Sequence, residues 1–243
     1  MNLSGNTILI TGGTSGIGLE LAKALQRKNN KVIVAGRDEV KLQAAAELGF
    51  QTIKCDLEDP DSIENTVRII ENTYPDLNFL VNNAGVQFNY VFTEVHTPFK
   101  RIQQEIQINL TGQIILTQLL LPVLRTKEQA CIINSTSGLG AFPKSDGVVY
   151  SAGKAGMRNF TTALRFALKG TPVRVMEFIP PVTATPMTAG RPGDKLQPEV
   201  LVAHILPQIE REKQLLTTFK MRLFLWIAFL LPNLAFKILG KSS

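Results

Sequence analysis

The chain has 243 residues, 44% of them hydrophobic and 19% charged, which suits one α/β domain and needs no disulfide or metal support for its core. Gly and Pro are scattered, which excludes a linker, a repeat array and a low-complexity segment. The formal net charge of +6 fits an anionic ligand or a membrane surface, but no basic run with interleaved aromatics points to nucleic acid.

The first segment carries no basic-then-apolar signal, so a cytoplasmic protein is expected. Thr7 to Ile10 reads as a strand running into Thr11-Gly12-Gly13-Thr14-Ser15-Gly16-Ile17-Gly18. An apolar periodic segment, Leu19 to Leu25, follows as a helix. Strand, glycine turn and helix form the context of a pyrophosphate cradle: glycines admit close backbone approach, and the helix start offers unpaired N–H groups. A plain tight turn is the competing reading.

Lys31 to Ala35 is a second strand, closed by Gly36-Arg37-Asp38. In a dinucleotide site this strand end faces the adenosine ribose, where an acidic residue would favour NAD. A small residue followed by Arg37 instead suits a 2′-phosphate, so NADP is expected over NAD. Asp38 either pairs with Arg37 or caps the helix Glu39 to Leu48. Gln51 to Cys55 is a third strand ending at Asp56-Leu57. Asp56 suits an adenine amino group and Leu57 its ring, or Asp56 is a turn residue. A helix from Asp61 to Tyr74 stops at Pro75-Asp76. Leu77 to Val81 is a fourth strand running into Asn82-Asn83-Ala84-Gly85, small enough to lie against a cofactor.

Residues 86–97 are irregular and aromatic, and His96, like His204, stands isolated, so no metal site is expected. A long helical pattern from Phe99 to Leu124 is interrupted at Asn109-Leu110-Thr111-Gly112, which predicts a kink with exposed carbonyls where Asn109 holds a water or simply packs. Ala130 to Ile133 is a fifth strand, and Ser135, Thr136 and Ser137 gather hydroxyls at its end. Cys55 and Cys131, near strand ends, read as buried structural thiols.

Tyr150-Ser151-Ala152-Gly153-Lys154 opens a helix to Leu168 with Ala155, Phe160, Ala163, Leu164 and Ala167 as its apolar face. At four-residue spacing Tyr150 and Lys154 share one helix side. An ammonium near a phenol lowers the phenol's pKa and makes it a usable proton donor and acceptor. Ser137, thirteen residues upstream, suits a second contact on one carbonyl oxygen. Val173 to Ile179 is a sixth strand, closed by Pro180-Pro181. The segment 183–215 reads as a substrate loop or lid, with a helix from Pro198 to Glu212 and a short edge strand in Gln214 to Thr218.

The tail, 219–243, contains nine consecutive apolar residues from Leu223 to Leu231. With Pro232 inside it, the apolar stretch is too short for the ~20 residues of a bilayer span. Two short helices over the pocket or a subunit partner are expected. The alternative is peripheral membrane contact, with Lys220, Arg222, Lys237 and Lys241 at the headgroups.

On these residues the chain resembles the classical short-chain dehydrogenase/reductase family. The segment 11–18 looks like its TGxxxGxG turn, 82–85 is similar to its NNAG motif, and Asn109, Ser137, Tyr150 and Lys154 fall where its catalytic tetrad falls. The first half looks most like the DltE-type oxidoreductases of bacteria. The resemblance implies a single doubly wound Rossmann-type α/β domain spanning 1–243, with helices on both faces of a parallel sheet of order 3-2-1-4-5-6-7. It implies direct hydride transfer between a nicotinamide and a carbonyl or secondary alcohol. Tyr150 would exchange the proton, Lys154 lower its pKa and hold the ribose, Ser137 orient the carbonyl and Asn109 keep a water. The implied cofactor contacts are Gly12, Thr14, Ser15, Gly16, Ile17, Gly18, Arg37, Asp56, Leu57, Asn83, Ala84, Gly85, Tyr150, Lys154, Pro180, Thr183 and Thr185. A homodimer or homotetramer is the family's habit. Pro181 stands where the family usually has glycine, and it removes an N–H beside the nicotinamide. Competing functions are a dinucleotide-binding protein or redox sensor without turnover, and a membrane-associated enzyme for a lipid-like substrate, to which the apolar tail points.

Overall fold

The first strand decides the architecture. β1 (Thr7–Thr11) is buried along its whole length, and its side chains serve both faces: Ile8 and Ile10 join one apolar cluster, Leu9 the other. A strand covered on both faces belongs in the middle of a parallel sheet. The computed structural model describes residues 1–90, 92–94, 96 and 98–233, and in it β1 is flanked by β2 (Lys31–Gly36) and β4 (Leu77–Asn82). With β3 (Gln51–Lys54), β5 (Ala130–Ser135), β6 (Val173–Phe178) and β7 (Leu215–Leu216), the sheet runs β3-β2-β1-β4-β5-β6-β7, all parallel. This is the expected fold and strand order.

Helices cover both faces. α1 (Gly16–Gln26) and α7 (Pro198–Glu210) pack on one, burying Leu21, Leu25, Leu201 and Ile205 among Ile8, Val34 and Phe178. α3 (Pro60–Thr73) and α5 (Gly112–Arg125) cover the other with Ile63, Val67, Leu116 and Leu120. α2 (Glu39–Glu47) is capped by Asp38, whose side chain accepts from the Lys41 N–H at 3.1 Å. Of the two roles expected for Asp38, capping is the one adopted. Cys55 and Cys131 are buried free thiols.

The interrupted pattern at 99–125 resolves into α4 (Phe99–Ile106), a π turn (Gln107–Thr111) and α5. The Gly112 N–H donates to the Gln107 carbonyl, five residues back. Phe99–Arg125 is long and apolar enough to cross a membrane, yet Leu116, Leu120 and Leu124 are fully buried in the core.

The face expected for α6 (Val148–Ala167) is corrected. Its buried side chains include Tyr150, Lys154, Met157 and Thr161, while Ala155, Ala163 and Ala167 are exposed and Phe160 and Leu164 half-buried. Both sets keep helical spacing, but the polar set points inward because the pocket lies there. Of the segment 183–215, residues 198–210 are α7 in the core, so only 183–197 stands as a covering loop. In the tail, α8 (Phe219–Leu230) is the first expected helix; of the second, only Pro232 and Asn233, both helical, lie within the described residues.

Candidate active site

The carboxyl ends of β1, β2, β4 and β5 meet at a cleft of about 460 Å³, where the chain reverses direction across the sheet and ligands bind in open α/β folds. Its floor is the turn between β1 and α1. Gly12 has φ of +63° and Gly16 of +54°, conformations that L side chains rarely adopt. A Cβ at Gly12 would meet Ala84 Cα at 2.8 Å, and one at Gly18 the Gly12 carbonyl at 2.4 Å. Ser15 caps α1 without a side-chain hydrogen bond, and no acid sits in its first turn. The first-turn N–H groups are therefore available to an anion at the positive end of the helix. A diphosphate fits this cradle.

The expected cofactor contacts fall around it. Gly12, Thr14, Ser15, Gly16, Ile17, Gly18, Arg37, Asp56, Leu57, Asn83, Ala84, Gly85, Tyr150, Lys154, Pro180 and Thr185 line the cleft. Thr183 does not: it is buried, and its hydroxyl donates to the Pro181 carbonyl at 2.8 Å. A threonine after a proline turn bonds back to its own loop, which sequence spacing does not reveal. Asp56 Oδ1 accepts from the Glu58 N–H at 3.0 Å and so shapes its turn. Arg37 is half-exposed, with Glu58 Oε2 at 3.9 Å as a loose ionic neighbour.

Tyr150 and Lys154 share the inner face of α6, with the Lys154 Nζ 5.8 Å from the tyrosine ring centre. Lys154 donates to the Ser135 carbonyl at 2.9 Å, and burial pushes its pKa down to about 8. The expectation that this lysine lowers the tyrosine's pKa is not met in the free chain. Burial pushes Tyr150 up to about 12, against the opposing pull of the Ser137 hydroxyl and the Arg191 charge, and Glu105 adds to the rise. Desolvation outweighs the Ser137 hydrogen bond and the Arg191 charge because the phenolate has no water to support it. Ser137 Oγ accepts from the Leu139 N–H at 3.1 Å, which leaves its own proton to donate.

Asn109 is fully buried in the π turn. Its amide is spent on one residue: Oδ1 accepts from the Val86 N–H at 3.0 Å and Nδ2 donates to the Val86 carbonyl at 2.7 Å. It thus fixes the loop that leaves Gly85, whose Cβ position lies 2.9 Å from Asn109 Oδ1.

Several supports were not foreseen. Thr11 Oγ1 accepts from the Asn83 and Ala84 N–H groups at 3.0 and 3.1 Å, and so ties the turn after β1 to the turn after β4. Gln113 donates to the Ala84 carbonyl at 2.7 Å and to the Ile108 carbonyl at 3.1 Å. Asn82 donates to Thr117 and to Asn134, each at 2.8 Å, and Asn134 to Thr161 at 3.0 Å. Polar residues closing apolar strands were the available signal for Thr11, Asn82 and Asn134. Glu105 gave none: it reads as the wet side of an amphipathic helix, but it is buried, accepts from the Phe88 N–H at 3.1 Å and has its pKa raised by burial.

A doubly wound sheet with a diphosphate cradle and a buried tyrosine–lysine pair at one cleft defines a nicotinamide-dinucleotide-dependent oxidoreductase. The model of the short chain dehydrogenase family matches residues 6–195, and the chain belongs to that family. "Uncharacterized oxidoreductase DltE" of Bacillus subtilis (strain 168) is 38% identical over 187 residues, 76% of this chain and 74% of that protein. "Serine 3-dehydrogenase" of Agrobacterium fabrum is 36% identical over 190 residues, 77% of this chain and 76% of that one. The solved structure of a short chain dehydrogenase from Burkholderia cenocepacia J2315 in complex with NADP has a TM-score of 0.88 at 21% identity, covering 98% of this chain and 99% of that one, a likeness of fold.

Proposed function

We propose that the protein is an NADP-preferring oxidoreductase that interconverts a small carbonyl compound and its secondary alcohol, with Ser137, Tyr150 and Lys154 as its reacting groups. The observation that carries this reading is the presence of Tyr150 and Lys154 in the same cleft as the glycine cradle. When bound, the nicotinamide supplies or accepts the hydride directly at the substrate carbon.

In the reducing direction Tyr150 donates its proton to the substrate oxygen. Its high pKa in the free chain keeps it protonated for that task. Ser137 donates a second hydrogen bond to the same oxygen and so favours the charge that develops there. Lys154, held by the Ser135 carbonyl, supplies positive charge next to the phenol and a donor for the nicotinamide ribose. Asn109 orders the Val86 backbone, and a water in the proton path is held by the main chain of the π turn, since its amide is already committed.

On the adenosine side Arg37 would hold a 2′-phosphate, with Gly36 leaving it room, and Asp56 and Leu57 would hold the adenine. Asp38, occupied in capping α2, does not compete for Arg37. The loop 183–197 covers the nicotinamide end, with Thr185 beside Gly16. Cytoplasmic work on a carbonyl or alcohol substrate, apolar by the character of the tail, is the setting that fits.

Tyr150→Phe tests the mechanism. Carbonyl reduction with NADPH is expected to fall by roughly 10²–10⁴-fold, while NADPH binding, read by nicotinamide fluorescence, persists. Turnover within a few-fold of the parent enzyme would remove Tyr150 from the chemistry.

A further inference from the structure

α8 is built inside out. At helical spacing Phe219, Leu223, Trp226 and Leu230 lie on one stripe (i, i+4, i+7, i+11), and all four are exposed, Phe219 at 76% and Trp226 at 58%. Phe229 beside them is 79% exposed. No residue of α8 is buried. The opposite side, with Met221 and Phe224, rests on the turn after Ser137: Phe224 meets Phe142 edge-on at 4.3 Å, and Met221 Sδ lies 3.3 Å from the Cβ position of Gly138. An apolar stripe of this kind facing water marks an interaction surface.

The charges around it say what kind of surface it meets. Lys220 falls on one flank of the stripe, about 90° from its centre by the 3.6-residue repeat, and Arg222 on the other at about 70°, where its Nη2 donates to the Leu215 carbonyl at 3.0 Å. From Lys213 to Ser243 the sequence has five basic residues, Lys213, Lys220, Arg222, Lys237 and Lys241, and no acidic one. A helix with an apolar face, basic flanks and an aromatic at its middle lies flat in an anionic lipid interface, its long cations reaching back to the headgroups. A second copy of the chain fits less well, since α8 and its flanks bring cations to a two-fold pairing of this face and no acid to offset them.

We propose that α8 docks the protein on an anionic membrane surface, with Phe219, Leu223, Trp226 and Leu230 inserted at the headgroup boundary. Docking brings the Ser137–Phe142 turn, on which the other side of α8 rests, to about one helix diameter from that boundary, so a lipid-borne carbonyl or alcohol has a short path to the cleft. The docking itself is independent of the hydride-transfer reading, and Tyr150→Phe should bind membranes like the parent.

Trp226 is the only tryptophan in the chain and reports its own insertion. The full chain is titrated with vesicles of phosphatidylcholine alone and of phosphatidylcholine with phosphatidylglycerol. The expected result is co-sedimentation with the anionic vesicles, a blue shift of Trp226 emission, quenching by brominated lipid, and weakening as salt rises. Leu223→Glu with Phe229→Glu should weaken partition by roughly tenfold or more, with the melting temperature and NADPH affinity unchanged. Failure of the parent chain to bind anionic vesicles would overturn the proposal. So would equal binding by the double variant, or a blue shift that depends on protein concentration without lipid and tracks dimer formation in sedimentation equilibrium.

Discussion

Burial pushes Tyr150 and Lys154 each toward its neutral form. The phenol keeps its proton, with a pKa near 12, and the ammonium loses some of its hold on its own, with a pKa of about 8. The lysine shift is a stability statement. Lys154 in the folded chain titrates near 8, and in the unfolded chain near 10.5. Between those values the unfolded state binds more protons, so stability rises with pH across that window. Below pH 8 both states are charged and the folded chain bears the full desolvation cost. Lys154→Met removes the titration. Between pH 7 and pH 9.5 the parent should gain about 2 kcal/mol relative to this variant, read from urea midpoints of both chains at each pH. Parallel pH profiles would mean that no ammonium is carried into the dry interior. The same comparison probes function, because a lysine held near 8 loses charge just above neutrality, and the rate of the parent should bend there.

At the scale of elements, the π turn between α4 and α5 does what an unbroken helix would not. It brings Asn109 round to Val86, and it lets Gly112 sit against the loop after β3: a Cβ there would meet the Leu57 carbonyl at 2.3 Å. Gly112→Ala must push Leu57 away. Overpacking of this kind costs roughly 1–3 kcal/mol, and the displaced backbone is the part of the cleft assigned to adenine. The variant should melt lower and bind NADPH more weakly, both read in one thermal-shift titration. A variant as stable as the parent with unaltered binding would show that the two elements do not press on each other. The interruption itself was legible as a polar residue and a glycine in an apolar run, and the sheet order was implied by the family resemblance that the strand-end motifs carry. What escaped was which side of a helix faces inward. In α6 the small apolar residues Ala155, Ala163 and Ala167 keep the spacing of a core face and yet meet solvent, while Tyr150, Lys154 and Thr161 are buried. Hydrophobic periodicity assumes that the interior is apolar, and it fails where the interior is a pocket. Glu105 was lost because its place in an amphipathic helix reads as wet, while it is buried and accepts from the Phe88 N–H. The tyrosine's pKa was misread because sequence shows the cation nearby but not the water that has been removed.

The whole molecule joins two apolar clusters across one sheet. One holds Ile8, Leu21, Phe79 and Leu201, the other Leu9, Ile63, Leu80 and Leu116. The cleft is assembled from loops that leave the strands of both, so a ligand in it touches parts of the chain that no single helix connects. Thr11, at the end of β1, binds the β4 turn, and Thr185 from the covering loop meets Gly16 at the start of α1. A dinucleotide that binds only the folded chain at a hundred times its dissociation constant stabilises it by about 2.7 kcal/mol. For a domain of this size that corresponds to roughly 5–10 °C in the melting temperature. NADPH at a fixed concentration should therefore raise one cooperative transition by about this much, and NADH by less. On the reading proposed above the difference belongs to Arg37, whose hydrogen bonds to a 2′-phosphate would be charge-assisted but half-exposed, worth roughly a tenfold change in affinity. Arg37→Ala should leave the NADH shift as it was and bring the NADPH shift down to meet it. If both shifts fell together, the arginine would be supporting the ribose or the loop instead of the phosphate, because a contact that reads the 2′ substituent has nothing to lose when NADH is bound.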